Sequence, residues 1–170
     1  LSNIHKLNVT NNPFDNRHHI LFIGNFNHPP NCDAMDYFLN NIFPLLHTKK
    51  PEIQLLIIGN DLPEKIKKRA SSNIIIKGFI SDIEPIFNNI KLSIAPLRYG
   101  SGVKGKINSS MAFGVPVIAT TVAAEGMGLS HEKDVMISDT AEGFCDAIIQ
   151  VYEDETLWRN LVTGGLANIE

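Results

Sequence analysis

The stretch Pro96-Leu-Arg-Tyr-Gly-Ser-Gly-Val-Lys-Gly-Lys106 concentrates what anion chemistry requires. Gly100, Gly102 and Gly105 let backbone approach a ligand and expose its N–H groups. Arg98, Lys104 and Lys106 add positive charge just where a helix is predicted to begin, and helix N-termini attract anions. Together they suit a pyrophosphate. Composition alone fits a flexible loop with solvated lysines equally well. Other nucleotide signatures are missing. There is no GxxxxGKS or GxxxxGKT, and Gly24-Asn-Phe-Asn-His28 is not GxGxxG. None of the six histidines forms HExxH, and no Gly-x-Ser-x-Gly supports a Ser-His-Asp triad. His28 stands in the first strand-to-helix loop, where it either meets a phosphate or sugar or is simply solvated. Cys32 and Cys145 are far apart and form no CxxC, which argues against a disulfide framework or a thiolate zinc site.

These residues need a scaffold, and the apolar pattern supplies one. Ile20–Ile23, Ile53–Ile58, Asn73–Lys77, Leu92–Ala95, Val115–Ala119 and Val135–Ser138 read as strands, the first three each ended by a glycine. Between them lie helical patterns. One is capped by Asn31 and carries Met35, Phe38, Leu39, Ile42 and Leu46, with Pro44 expected to shorten or kink it. Others cover Pro63–Ala70, 82–88, 105–113, 140–152 and 155–164, the stripe Phe144, Ile148 and Ile149 being core. The His18-His19 pair is placed just before the first strand. Strands apolar throughout, alternating with helices, predict an α/β, Rossmann-like doubly wound parallel sheet of about six strands with helices on both faces. In such sheets ligands bind beyond the carboxyl ends of the strands, which places the Pro96–Lys106 loop where a site belongs.

The chain has 170 residues, 44% apolar and 19% charged, which suits one domain with a sizeable core. Residues 1–17, polar and Asn-rich, read as a linker or lead-in, and 18–170 as the domain. With 15 Lys and Arg against 18 Asp and Glu, the formal charge is −3, which argues against a nucleic-acid binder. No apolar stretch reaches the ~20 residues of a membrane helix. The chain starts at Leu1 with no Met or leader pattern, so a cytoplasmic fragment of something longer is expected.

In order along the chain, several segments resemble the C-terminal domain of GT-B glycosyltransferases of the group 1 type, family 4. Gly24-Asn-Phe with Pro30-Asn31 and Asp33 is similar to that family's opening strand and loop. Gly78-Phe-Ile-Ser-Asp82 resembles its segment after the third strand, and Ala95-Pro-Leu-Arg98 its approach to the donor loop. The strongest block is Gly100-Ser-Gly-Val-Lys-Gly-Lys106 followed by Met111-Ala-Phe-Gly-Val-Pro-Val-Ile-Ala-Thr120, after which come Glu125-Gly126 and Asp154–Trp158.

The resemblance implies a domain that binds the nucleotide of a UDP- or GDP-sugar. A separate N-terminal domain would bring a saccharide or lipid-linked acceptor and any contact with a membrane surface. It places the base near Phe79 and Ile80. The diphosphate lies by Gly24, Asn25, Arg98, Lys104 and Lys106, beside Gly100, Ser101, Gly102 and Val103. No metal or other cofactor is implied, and retention at the anomeric carbon is usual in the family. The family's paired glutamates fall on Ser101 and Ser109, so the expected ribose-binding carboxylate is a serine, a weaker single-point partner. This leaves two other readings, a degenerate non-catalytic binding module and an epimerase of nucleotide sugars.

Overall fold

The apolar runs become the strands of one sheet: β1 (His18–Ile23), β2 (Leu55–Ile58), β3 (Ile74–Lys77), β4 (Ile90–Ala95), β5 (Val117–Ala119) and β6 (Met136–Ile137). Their order is β3-β2-β1-β4-β5-β6, and every pairing is parallel. The computed structural model describes residue 9, residues 11–100 and residues 104–170, with Lys104 given by its backbone alone. Along β1, Ile20 and Phe22 join one apolar cluster while Leu21 and Ile23 join another. The sheet is therefore buried on both faces, and this is why its strands carry no polar alternation.

After β1 comes a single helical rod in three parts: α1 (Pro29–Tyr37), a π turn (Phe38–Ile42) and α2 (Phe43–Lys49). One expectation is corrected here, and the distortion expected at Pro44 is located. Asn31 is not the cap; His28 is, and Pro29 and Pro30 occupy the first helical positions, where a missing N–H costs nothing. Pro44 does not end the helix. The wider π turn just ahead of it absorbs the hydrogen bond that Pro44 cannot donate and the room its ring needs.

The remaining helices are α3 (Glu64–Lys67), α4 (Glu84–Asn89), α5 (Lys104–Ala112), α6 (Thr121–Ala124), α7 (Ala141–Glu153) and α8 (Glu155–Ile169). α3 is shorter than its sequence pattern predicted. Phe144 and Ile148 of α7 are fully buried, and Ile149 packs against the same core.

The histidine pair lies inside β1, not ahead of it. His19 holds a positive φ of 71°. Its N–H donates to Tyr152 Oη at 2.8 Å, and its Nδ1 accepts from the Gln54 N–H at 3.1 Å. Those long-range bonds tie His19 to α7 and to the approach to β2, and the pairing of His18 with Ile90 carries the strand beyond the apolar run.

The amino-terminal ends of the strands close over a cationic cluster. Phe14, in a short 3-10 turn (Phe14–Asn16), packs edge-on against Trp158 at 5.7 Å. Arg17 is buried, donates to the carbonyls of Asn12 (2.8 Å) and Phe87 (2.9 Å), and lies 5.3 Å from the Trp158 ring. Lys91 donates to the Phe14 carbonyl at 2.6 Å and sits 3.4 Å from the Phe14 ring centroid. Burial lowers the pKa of both cations, because the charged form loses water.

Candidate functional site

From β1 the chain runs outward to β2 and β3, and from β4 it runs the other way to β5 and β6. The connections diverge at the β1–β4 pair, so a crevice opens at the carboxyl ends of those two strands, the position where doubly wound sheets bind ligands.

The β1 side of the crevice is held close to β2. Gly24 N–H donates to the Ile58 carbonyl and Phe26 N–H to the Asn60 carbonyl, both at 3.0 Å. The loops approach so closely that a Cβ at residue 59 would overlap the Gly24 carbonyl oxygen, so only glycine fits there. A Cβ at Gly24 would itself press on the Asn31 amide and the Phe22 ring at 3.1 Å. Asn25 is exposed and turns the loop by accepting from the Asn27 N–H at 3.0 Å.

Asn31, buried in the first turn of α1, links both sides. Its Nδ2 donates to the Asn25 carbonyl at 2.8 Å, and its Oδ1 accepts from Lys106 Nζ at 2.6 Å. That amide orientation is the one that satisfies both partners, since an ammonium can only donate. Lys106 also lies 4.2 Å from the Phe22 ring centroid. Desolvation pushes its pKa down to about 7, and among the described residues no carboxylate pairs with it. A half-charged, desolvated ammonium without a counter-ion is suited to receive an anion.

The β4 side leaves the sheet through buried Pro96 and Leu97, then surfaces at Arg98, Tyr99 and Gly100. Arg98 grips Asp33 of α1 with two donors, Nε to Oδ2 at 2.9 Å and Nη2 to Oδ1 at 2.5 Å. The guanidinium lies 4.8 Å from the Tyr37 ring centroid. Gly100 has φ 108°, and a Cβ there would stand 2.6 Å from Pro30 Cγ. Ser101, Gly102, Val103 and the Lys104 side chain lie outside the described residues.

Of the residues singled out in the sequence, Gly24, Asn25, Arg98, Gly100 and Lys106 therefore gather around the β1–β4 crevice. Phe79 and Ile80 follow β3, at the far side of β2. Phe79 is 73% exposed, whereas Ile80 packs against the apolar cluster that contains Leu21, Ile58 and Phe87. Ser109 is half-buried on α5, and its neighbour Ser110 is buried, donating to Ser93 Oγ at 2.9 Å. His28 and Glu125 are exposed. Among the described residues, no three His, Cys, Asp or Glu side chains converge as a metal site.

The organising role of Asn31 is what the sequence pattern missed. Its position after two prolines reads as a cap, and only the depth of the first turn turns its amide inward. Asp33 is half of an ion pair that its sequence neighbours do not reveal, and Tyr37 attracts no attention in the sequence at all.

Residues 17–154 match the family described as glycosyl transferases group 1. The chain belongs to that family. This glycosyltransferase domain is 29% identical over 139 residues to a 44.6 kDa protein from a cps region of Klebsiella pneumoniae. That match covers 76% of the chain and 36% of the relative, so the domain spans about a third of the relative's length.

Its fold is similar to the C-terminal domain of LpcC, a group 1 family protein from Francisella tularensis (TM-score 0.69, 15% identity, 90% of this chain and 84% of that one). It is also similar to S. aureus TarM, solved with fondaparinux, alpha-GlcNAc-glycerol and UDP (TM-score 0.79, 16% identity, 96% of this chain and 34% of that one). The six-stranded parallel sheet that the resemblance and the apolar pattern both predict is the one observed. No described helix of the domain is long and apolar enough to cross a membrane.

Proposed function

We propose that the chain holds the nucleoside diphosphate of a UDP- or GDP-sugar, as the donor-binding part of an enzyme that transfers a hexose-type sugar to a saccharide or lipid-linked acceptor. Lys106 carries this reading. A desolvated ammonium held by Asn31 at the crevice, in the first turn of α5, is matched to a diphosphate more than to any neutral ligand.

In the reaction the bond from the anomeric carbon to the diphosphate breaks, and negative charge grows on the departing phosphate. A fixed cation and helix N–H groups stabilise that charge as it develops, without any rearrangement of solvent. Gly24 and Gly100 keep side chains away from the backbone that borders the diphosphate, and Asn25 lines it. Lys104, with Ser101, Gly102 and Val103, completes the loop. The exposed ring of Phe79 and the neighbouring Ile80 offer an apolar surface to the base. Ser109 stands where the ribose is expected. A preceding domain supplies the acceptor, and the relative's place in a cps region supports a role in polysaccharide assembly.

Calorimetric titration with UMP, UDP, GMP, GDP and the glucose and mannose derivatives of the two diphosphates tests the reading. One nucleotide series binds, and its diphosphate binds more tightly than its monophosphate. Absence of heat for every nucleotide at millimolar concentration would sink the proposal.

Ser109 favours a second reading, a non-catalytic module on the same fold. Ser109→Glu in the full-length protein separates the two. If the natural protein already transfers sugar and the glutamate adds nothing, the second reading fails.

A further inference from the structure

The ion pair between Arg98 and Asp33 is peripheral to the diphosphate chemistry, and its exposure gives it little to contribute to stability. The side chains are 53% and 23% exposed, and pairs of that kind add little to folding. Its geometry is nonetheless specific. Two parallel donors engage the carboxylate, and Tyr37, one turn further along the same helix, flanks the guanidinium at 4.8 Å. Two residues later the chain passes Gly100, whose backbone lies so close to Pro30 that a methyl group would be 2.6 Å from the ring. Pro30 and Asn31 are consecutive in α1, and Asn31 holds Lys106. The first turns of α1 thus grip the chain where it leaves β4 and again where it enters α5.

On the reading of the site given above, we propose that Asp33 is a positioning residue for donor binding. Acting through Arg98, it fixes the backbone of Tyr99 and Gly100 against α1, beside the Asn31 that holds Lys106 for the diphosphate. Arg98 serves as a strut between α1 and the β4 loop, not as a phosphate ligand. Asp36 of α1 and Lys65 of α3, which bond to each other, also act on the pair, Asp36 on the Arg98 charge and Lys65 on that of Asp33.

Three variants, Asp33→Asn, Arg98→Met and the double variant, test this with two readouts. The first is amide hydrogen exchange at Tyr99 and Gly100 with no nucleotide present. Exchange accelerates about tenfold in each variant while the thermal midpoint stays within about 1 °C of the natural chain. The second is the affinity for UDP or GDP, whichever the natural chain binds. Each single variant loses about tenfold and the double variant loses no more than either, because both residues act through one contact.

Unchanged exchange in Asp33→Asn and Arg98→Met overturns the proposal, whatever happens with nucleotides. So does undiminished or tighter nucleotide binding in Asp33→Asn, since releasing a true phosphate ligand from its carboxylate would improve it. Failure of the natural chain to bind any nucleotide, with exchange still accelerated in the variants, removes the donor reading and with it the link to donor binding, and leaves only the strut.

Discussion

Two buried cations at opposite ends of the sheet solve the same problem differently. At the amino-terminal end, Lys91 sits against the faces of Phe14 and Tyr152 and bonds a main-chain carbonyl, and Arg17 beside it is spent on the carbonyls of Asn12 and Phe87. Every side of that pocket is protein. At the carboxyl-terminal end, Lys106 meets, among the described residues, one amide oxygen and one ring, at the switch point that the strand order creates. Both lysines are made more acidic by loss of water. Burial alone therefore does not mark a functional cation. What separates them is whether opposite charge is built in nearby, as Asp15 and Glu155 supply it for Lys91, or has to come from outside, as at Lys106.

The comparison can be broken at its structural end first. Arg17→Ala leaves buried carbonyls without their donor and should destabilise the chain by about 3 kcal/mol, roughly 9 °C in thermal midpoint. Trp158, the sole tryptophan and in contact with Arg17, reports the transition by fluorescence. A loss below about 1 kcal/mol would show that the amino-terminal cluster is not a structural pin.

Lys106→Met should do the reverse. Affinity for the nucleotide diphosphate falls about a hundredfold at pH 7, as when one partner of a buried charged pair is truncated. Stability changes by under about 1 kcal/mol, because the group removed is itself poorly solvated. Calorimetry and urea melts measure the two effects, and a large stability loss with intact binding would exchange the roles of the two ends.

A smaller effect comes from pH. Lys106 titrates at about 7 in the empty site, and a bound diphosphate favours its charged form, so binding takes up a proton above that pH. Affinity for a nucleotide sugar, whose diphosphate diester keeps its charge across this range, should fall about tenfold from pH 6 to 9. In Lys106→Met the slope should vanish.

The smallest effect belongs to the amino-terminal end and to acid. The His19 Nδ1 accepts a main-chain N–H, which only a neutral imidazole can do. Desolvation, then the charge of His18, lowers its folded-state pKa below the ordinary value. The stability it contributes is present above the unfolded pKa of about 6.5 and is lost as pH falls through the lower folded value. Urea melts should show lower stability at pH 5 than at pH 7 through this group, and His19→Gln should reduce the difference.

The fold was legible because it depends on patterns that a single chain displays. Apolar runs such as Ile53–Ile58 and Leu92–Ala95 have the lengths of buried parallel strands, and helical stripes such as Phe144 and Ile148 fall between such runs. The positive charge of the Pro96–Lys106 loop was legible for the same reason, since glycine and lysine have local effects. The partners were not legible. That Asn31 serves Lys106, 75 residues away, and Asp33 serves Arg98, 65 away, follows only from the packing of α1 beside β4. The π turn before Pro44 was hidden too, because its apolar spacing is indistinguishable from that of an ordinary helix.

The strand order also has a consequence for the sequence of folding events. β1 finds β2, and β2 finds β3, across connections of ordinary length, so the first half of the sheet can assemble from the first part of the chain as it is made. The pairing of Ile20 with Leu92 is the longest closure in the sheet and waits for β4. Until then β1 presents an open edge, and the crevice does not exist. The join between the two halves is therefore among the last contacts to form, and a chain stalled before it would keep most of its helices and strands yet have no place for an anion.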